Sequence, residues 1–170
     1  IASVEIAKAL GAEVIACGGN DNKLEVCKAK GASHVINYNK NILRTELLRK
    51  NIKKIDVVID MIGGQYSLDA VKSLNWNGRI VIVGFASGEI PSIPSNRLLL
   101  NNAEAKGLYW GELAYREPKE IGENFKVLED LYIKKLINPE NYKSYPLEKA
   151  SEALNQLLER KNIGKIVLEC

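Results

Sequence analysis

The sequence predicts an α/β fold with a doubly wound parallel sheet, and three observations lead to this prediction. Short apolar runs alternate with helical segments of about ten residues. The runs at 55–62 and 79–85 are apolar at consecutive positions, which is typical of strands that are covered on both faces. Because crossovers between parallel strands are right-handed, we expect the helices on both sides of the sheet.

The first predicted element is a helix that is already under way at residue 1. Its apolar residues recur at the spacing of one helical face, and the two charged residues among them are expected to point away from that face. No Ser, Thr, Asp or Asn precedes the run as a helix cap, so we expect further chain before it. The apolar residues are Ile1, Val4, Ala7 and Leu10, and the charged residues are Glu5 and Lys8.

The other elements follow regularly up to residue 85 and less regularly afterwards. The predicted strands are 13–17, 34–37, 55–62, 79–85 and 105–111, and the predicted helices lie near 22–30, 41–50, 65–74, 97–102 and 118–136. A turn is expected at 75–78, and an irregular segment with two prolines at 86–96. The tail is predicted as strand, helix and strand, the last at 165–169. The apolar stripe of its helix comprises Ala150, Ala153, Leu154, Leu157 and Leu158.

Length and composition are those of an ordinary soluble domain. The 170 residues are 46% hydrophobic and 26% charged, and the net charge of +3 is too small to indicate nucleic-acid binding. No segment reaches the length of a membrane span, and no signal peptide is visible. We therefore expect a cytoplasmic protein that has neither nucleic acid nor a membrane as a partner.

The cysteines and the single histidine do not indicate a metal site. Cys17, Cys27 and Cys170 lack metal-ligand spacing and are odd in number. This favours a reducing compartment and thiols that act as small hydrophobic residues. For His34, a structural position at a strand edge is a simpler interpretation than a catalytic role.

Glycines follow three of the five predicted strands. In open parallel sheets, ligands bind beyond the carboxyl ends of the strands, and glycine lets the backbone approach a ligand or adopt a positive φ. The alternative is that these glycines only make turns. Because three strand ends share the feature, we expect a nucleotide site. The glycines are Gly18 and Gly19, Gly63 and Gly64, and Gly84 and Gly88.

The end of the 13–17 strand favours NADP over NAD. NAD-specific sites usually place Asp or Glu here to bind the ribose hydroxyls, but this chain has Gly18 and Gly19. Lys23, in the first turn of the next helix, could attract a 2′-phosphate together with the N–H groups of that turn. An alternative stays open for each of two residues. Asp21 either caps the helix or reaches the ribose. Lys23 either binds the 2′-phosphate or is an ordinary surface lysine.

Five motifs occur in register: GAEVIACGGNDNKLEVCKAKGASHVINY, DVVIDMIGG, GRIVIVGFASG, LYWG and YPLEKASEALNQLLERKNIGKIVL. Together they resemble the medium-chain dehydrogenase/reductase superfamily, in particular its zinc-free NADPH:quinone oxidoreductase branch. The resemblance implies a Rossmann-type cofactor-binding domain at 1–137, whose first strand and glycine-rich turn would precede Ile1. It also implies a GroES-like catalytic lobe before that strand, to which the segment 138–170 would return.

The same resemblance implies a set of cofactor-binding residues. Those near the adenosine 2′-phosphate and the adenine would be Gly19, Asn20, Lys23 and Tyr38. Met61 and Ile62 would line the path of the adenosine and ribose, and Lys165 would lie near the phosphates. The nicotinamide and its ribose would lie against Gly84, Phe85, Ala86, Leu108, Tyr109 and Trp110. The alternatives are that Phe85 and Tyr109 are core residues and that Tyr38 covers a sheet edge.

The implied reaction transfers hydride from the nicotinamide to a quinone or an activated alkene such as an enone or enal. The family keeps its catalytic groups in the other lobe, so we expect no catalytic residue and no metal ligand here, and no activity from these 170 residues alone. A homodimer through the strand at 105–111, the sixth of the family's sheet, is also implied. Three other interpretations stay open: a non-catalytic NADPH-binding module, a relative of zinc-dependent alcohol dehydrogenases, and an unrelated doubly wound enzyme such as a methyltransferase.

Overall fold

The computed structural model describes residues 1–139, 142–159 and 161–170, and it divides into two compact units. The first unit comprises residues 1–35 and 127–170, and the second comprises residues 36–126. Each unit has a buried apolar core of its own.

The first unit begins with a helix, a strand and a helix, as predicted. These are α1 (Ala2–Ala9), β1 (Ile15–Gly18) and α2 (Asp21–Ala29). β2 (His34–Asn37) follows, crosses the boundary between the units and forms a two-stranded sheet with β1. Apolar side chains from these elements and from the turn before β2 make the core of this unit, which contains Val4, Ala16, Leu24 and Ala32.

The tail contributes a strand, a helix and a strand, which confirms the predicted order. These are β6 (Tyr142–Pro146), a 3₁₀ turn, α8 (Ala150–Leu158) and β7 (Lys165–Glu169), and the two strands are parallel. Ala153 of the predicted apolar stripe on α8 is buried, whereas Leu154, Leu157 and Leu158 are exposed. Residues 140, 141 and 160 of the predicted tail lie outside the described residues.

The second unit alternates helices and strands. Its elements are α3 (Leu43–Arg49), β3 (Ile55–Asp60), α4 (Gly64–Lys72), β4 (Leu74–Ile82), α5 (Ser95–Asn101), β5 (Glu104–Gly107) and α6 (Trp110–Arg116). α7 (Pro118–Ile133) crosses the boundary between the units. The core of the second unit is centred on Ala70, Val71, Leu74 and Ile80. Within the described ranges, no helix combines the length and the apolar character needed to cross a membrane.

β3, β4 and β5 form a three-stranded sheet in that order, and both pairings are parallel. Ile80, in the middle of β4, lies opposite Val58 on one side and Ala105 on the other, and it is fully buried. This position explains why the run at 79–85 is apolar at consecutive positions. The predicted α/β architecture with parallel strands is confirmed.

The predicted turn at 75–78 lies inside β4. Ile55 is opposite Leu74, whereas Val57 is opposite Arg79, so the residues between form a bulge. Asn77 has a φ of 60°, and its Oδ1 accepts a hydrogen bond from Asn102 Nδ2 at 2.6 Å. The turn-forming residues therefore interrupt the strand without ending it.

The strand predicted at 105–111 is shorter than expected, and the helix after it is missing from the prediction. β5 ends at Gly107, so Trp110 lies in α6 and not in a strand. Glu117, between α6 and α7, has φ −129° and ψ 55°, which is a conformation outside the helix. A residue before a proline is disfavoured in the helical region, so Pro118 accounts for the break. α7 ends at Ile133, three residues before the predicted end at 136.

Glu5 is buried, although the helical period predicts that it points to solvent. Its Oε1 lies 3.0 Å from Lys30 Nζ and accepts from Asn138 N at 3.0 Å. Lys30 Nζ also donates to Asn138 O at 2.6 Å. Contacts with residues distant in the sequence therefore determine where this side chain lies.

Candidate functional site

The turns that follow β3 and β4 are bonded to each other through their backbones. Ala86 N donates to Met61 O at 2.9 Å, and Ser87 N donates to Ile62 O at 2.9 Å. These bonds continue the pairing of the two strands beyond their carboxyl ends. They bring together the predicted site residues of both turns, which are Met61, Ile62, Gly84, Phe85 and Ala86.

A buried carboxylate holds the first of these turns. Asp60, the last residue of β3, is 6% exposed, and its Oδ1 accepts from Ile62 N at 2.9 Å and from Gly63 N at 3.1 Å. Its Oδ2 accepts from the hydroxyl of Ser67, which is fully buried in α4. All the partners that the described residues give Asp60 are thus uncharged hydrogen-bond donors. Such donors stabilise a carboxylate away from water.

Gly63 and Gly64 adopt conformations that favour glycine, with φ values of 81° and 59°. A Cβ on Gly63 would lie 2.5 Å from the carbonyl oxygen of Glu89. The same carbonyl accepts from Gly64 N at 3.0 Å. The loop after β4 therefore packs directly on the glycine turn.

The two turns present exposed apolar side chains and an open backbone position. Met61 is 45% exposed and Phe85 is 40% exposed. Among the described residues, a Cβ on Gly84 would meet nothing closer than Met61 O, at 3.9 Å. An open backbone near exposed apolar side chains can accommodate a planar ring. The exposure of Phe85 also argues against its alternative interpretation as a core residue.

Tyr109 and Trp110 follow β5 at the same edge of the sheet. Leu108 N donates to Ile82 O at 2.9 Å, so the pairing with β4 continues one residue past β5. Tyr109 is 75% exposed and Trp110 is 49% exposed. Tyr109 is therefore not a core residue in this chain, and both rings are accessible beside the carboxyl ends of the strands.

Tyr38, just after β2, packs against Tyr66 of α4. The ring centroids are 4.3 Å apart, and the planes are inclined by 42°. Tyr66 is two residues beyond Gly64, so the second unit brings Tyr38 to the helix that follows the glycine turn. Its predicted contact with an adenine stays a prediction.

In the first unit, the predicted 2′-phosphate residues form the start of α2. Asn20 is the helix cap, and its Oδ1 accepts from Lys23 N at 3.2 Å. Asp21, the first helical residue, is therefore not the cap. Gly19 and Lys23 are half-buried, and Lys165, at the start of β7, is exposed. Beside this turn, desolvation raises the pKa of the Cys17 thiol to about 11, although part of the residue reaches solvent.

The predicted site residues thus form two groups, one in each unit. The first unit holds Gly19, Asn20, Lys23 and Lys165, and the second holds Tyr38, Met61, Ile62, Gly84, Phe85, Ala86, Tyr109 and Trp110. That both groups bind one cofactor stays a prediction. The prediction did not include Asp60, Ser67 and Glu89. The sequence feature that could have indicated Asp60 is its position, as a carboxylate near the end of an apolar run and shortly before Gly63 and Gly64.

In the part of the chain that the structure describes, no three His, Cys, Asp or Glu side chains are grouped to hold a metal ion. His34 lies on β2 with its Nε2 3.2 Å from Glu13 Oε1, in agreement with a structural role.

Comparison with known proteins identifies the family. The sequence matches the family described as zinc-binding dehydrogenase over residues 1–128. The chain belongs to this family of oxidoreductases. It is 37% identical over 159 residues to quinone oxidoreductase-like protein 2 of Rattus norvegicus, and 39% identical over 168 residues to the Bos taurus protein of the same name. These matches cover 92% and 94% of this chain but 45% and 46% of the relatives. The chain thus spans about half their length.

Solved structures of similar proteins confirm the Rossmann-type fold. The quinone oxidoreductase of Thermus thermophilus, which was also solved in complex with NADPH, matches with a TM-score of 0.85 and 26% identity. The match covers 99% of this chain and 53% of that protein. The quinone oxidoreductase of Pseudomonas syringae pv. tomato has the same fold, with a TM-score of 0.81 over 99% of this chain and 52% of that one, at 24% identity. These similarities confirm the predicted superfamily and its quinone oxidoreductase branch.

Proposed function

We propose that this chain is the cofactor-binding part of an NADPH-dependent oxidoreductase that transfers hydride to a quinone or an activated alkene. The observation that carries the proposal is the bonded pair of turns after β3 and β4. They present the open backbone at Gly84 together with the exposed side chains of Met61 and Phe85. The NADPH complex of the Thermus thermophilus relative supports the choice of cofactor.

The start of α2 supports NADP over NAD. Gly18 and Gly19 stand where a carboxylate would repel a 2′-phosphate, and Lys23 lies in the first turn of the helix beyond them. The amide groups of that turn and the helix dipole add to the attraction for an anion. Asp21 is the one acidic residue in this turn, and it reduces the attraction without removing it.

In the proposed reaction, the bound nicotinamide supplies the hydride. The described residues bind and orient it. The backbone at Gly84–Ala86 supports the nicotinamide ring. The side chains of Phe85, Met61 and Tyr109 pack against apolar parts of the cofactor and exclude water from it. Holding the ring in one orientation lowers the entropic part of the barrier to transfer. Among the described residues, no side chain of this site is assigned a proton-transfer role.

The experiment is titration of the full-length protein with NADPH and NADH, followed by quinone-dependent oxidation of the reduced cofactor. We expect NADPH to bind at least about tenfold more tightly than NADH, and turnover with a quinone or an enone. Equal affinities would contradict the 2′-phosphate assignment. Selective binding without turnover on any quinone, enone or enal would favour the non-catalytic NADPH-binding module.

A zinc-dependent alcohol dehydrogenase is the second candidate, because the matched family is described as zinc-binding. The described residues offer no ligand set for such an ion. Metal analysis of the full-length protein, together with its activity on alcohols after chelation, distinguishes the two reactions. Alcohol oxidation that is lost with the metal would favour the second candidate.

We also propose a cytoplasmic homodimer that is joined through β5. All four residues of this short strand are exposed, and in the described sheet it pairs with β4 alone. An uncovered strand edge is prone to pair with another strand. Sedimentation analysis of the full-length protein tests the dimer, and a monomer at micromolar concentration would contradict it.

A further inference from the structure

The carboxylate of Asp60 connects two backbone amides of the turn with one side chain of α4. It accepts from the amides of Ile62 and Gly63 in the turn, and from Ser67 one turn into α4. A buried carboxylate that lost these donors would have to be desolvated without compensation. The shape of the turn and the start of α4 are therefore coupled to one side chain.

The turn in turn holds the loop after β4. The carbonyls of Met61 and Ile62 accept from Ala86 and Ser87, and Gly64 N donates to the carbonyl of Glu89. Asp60 orients two of these peptide groups, because the amides of Ile62 and Gly63 that it binds share their peptide bonds with the carbonyls of Met61 and Ile62. A shift of the turn would consequently move the Gly84–Ala86 backbone with it.

We propose that Asp60 is a positioning residue for the nicotinamide end of the site. This inference rests on the proposed function, in which the Gly84–Ala86 backbone supports the nicotinamide. Asp60 is itself buried, so it does not touch the cofactor and acts through the hydrogen-bonded turn. Because its partners are uncharged donors, we infer that Asp60 holds the turn by accepting hydrogen bonds. Its negative charge is not required for this role.

The experiment compares three variants of the full-length protein. Asp60→Ala removes both acceptor oxygens. Asp60→Asn keeps one oxygen that can accept from the backbone amides of Ile62 and Gly63, and its side-chain NH₂ can donate to the hydroxyl of Ser67. Asp56→Ala is the matched control, because Asp56 lies on the same strand, is exposed, and accepts from Asn75 Nδ2 at 2.8 Å. The ligands are NADPH and adenosine 2′,5′-bisphosphate, which lacks the nicotinamide half. Thermal midpoints are measured in parallel.

We expect Asp60→Ala to weaken NADPH binding by about tenfold or more, because small displacements of a binding surface have large effects. Binding of the bisphosphate is expected to change by less than about threefold, and Asp60→Asn to retain nearly all the NADPH affinity. Asp56→Ala is expected to match the wild type. If Asp60→Ala does not fold, Ser67→Ala replaces it, with a smaller loss that is again confined to NADPH.

Two results would overturn the inference. One is an unchanged ratio of NADPH to bisphosphate affinity in Asp60→Ala, or in Ser67→Ala where that variant replaces it. The other is an Asp60→Asn variant as weak as the alanine variant, since that would mean that charge is required. A wild-type protein that binds neither ligand would instead contradict the proposed function itself. The two failures are therefore distinguishable.

Discussion

At the scale of single residues, two positions in this chain that hold glycine differ in whether they need it. Gly63 has a φ of 81°, and an added Cβ would lie 2.5 Å from a backbone oxygen. Gly122 lies inside α7, where an added Cβ would meet no described atom within 4 Å. The first position needs glycine, whereas at the second glycine only adds entropy to the unfolded chain.

We therefore expect alanine at the two positions to change the free energy of unfolding in opposite directions. Gly63→Ala should lower it by about 1–3 kcal/mol, because of backbone strain and the clash. Gly122→Ala should raise it by about 0.5–1 kcal/mol, as is usual within a helix. Urea denaturation of both variants measures the changes. A Gly63→Ala variant as stable as the wild type would contradict the observed turn geometry.

Lys23 is the residue on which the proposed cofactor preference depends. We expect Lys23→Ala to weaken NADPH binding by about tenfold and NADH binding by less than about twofold, because only NADPH carries the 2′-phosphate. Lys28→Ala, which removes a lysine from the other end of the same helix, is the control for net charge. Equal losses for the two cofactors, or equal effects of the two variants, would count against the assignment. Equilibrium titration of the wild type and the two variants with each cofactor supplies the six affinities.

At the scale of elements, the buried Glu5 links the start of the first unit to a residue beyond α7. Its carboxylate bonds both Lys30 and the backbone of Asn138. We expect Glu5→Ala to lower the free energy of unfolding by about 1–3 kcal/mol, because the part-buried ammonium of Lys30 and the amide of Asn138 both lose an acceptor. Glu112→Ala, which breaks an exposed pair with Arg116 in α6, should change it by less than about 0.5 kcal/mol. Similar losses in the two variants would contradict this interpretation.

The elements that the sequence predicted well are those whose pattern is local. Apolar periodicity and glycine stops placed the strand at 34–37 and the helix near 65–74 within a residue or two of β2 and α4. The bulge at 75–78 was not predictable in this way, because turn-forming residues have the same composition inside a strand as between elements. Nor was the short α6, which lies between a strand and Pro118 and has no clear period.

The position of the site was predictable from the sequence, but the hydrogen bonds that hold its turns were not. Parallel strands have their carboxyl ends at one edge, so glycines after consecutive strands indicate where a ligand binds. Asp60 is part of an apolar run, and nothing local distinguishes a carboxylate that accepts from its own turn from one that faces solvent. Its role depends on Ser67, and that contact exists only after α4 has packed on the sheet.

At the scale of the whole molecule, both tryptophans lie in the second unit. Trp76 is in β4 and Trp110 begins α6, so tryptophan fluorescence reports on residues 36–126 alone. Far-ultraviolet circular dichroism reports on both units. Because each unit has its own core, we expect the two signals to give different midpoints in urea. Glu5→Ala should shift the dichroism transition and leave the fluorescence transition in place, and coincident shifts would contradict independent unfolding.

The uncharged partners of Asp60 have a consequence for how ionic strength acts on the proposed site. Salt screens exposed charges beyond a Debye length of about 8 Å at physiological concentration, but it affects buried hydrogen bonds little. Lys23 is only half-buried, so its attraction for a 2′-phosphate should fall as salt is added, whereas the turn after β3 should keep its shape. We expect NADPH affinity to decline toward that of NADH between about 0.05 and 0.5 M sodium chloride, with a smaller decline for NADH, which carries the pyrophosphate but lacks the 2′-phosphate. An equal decline of NADPH and NADH affinity would contradict the assignment of the salt-sensitive contact to Lys23 and the 2′-phosphate. Sodium chloride alone, without a mutation, would then separate the contributions of the two ends of the cofactor.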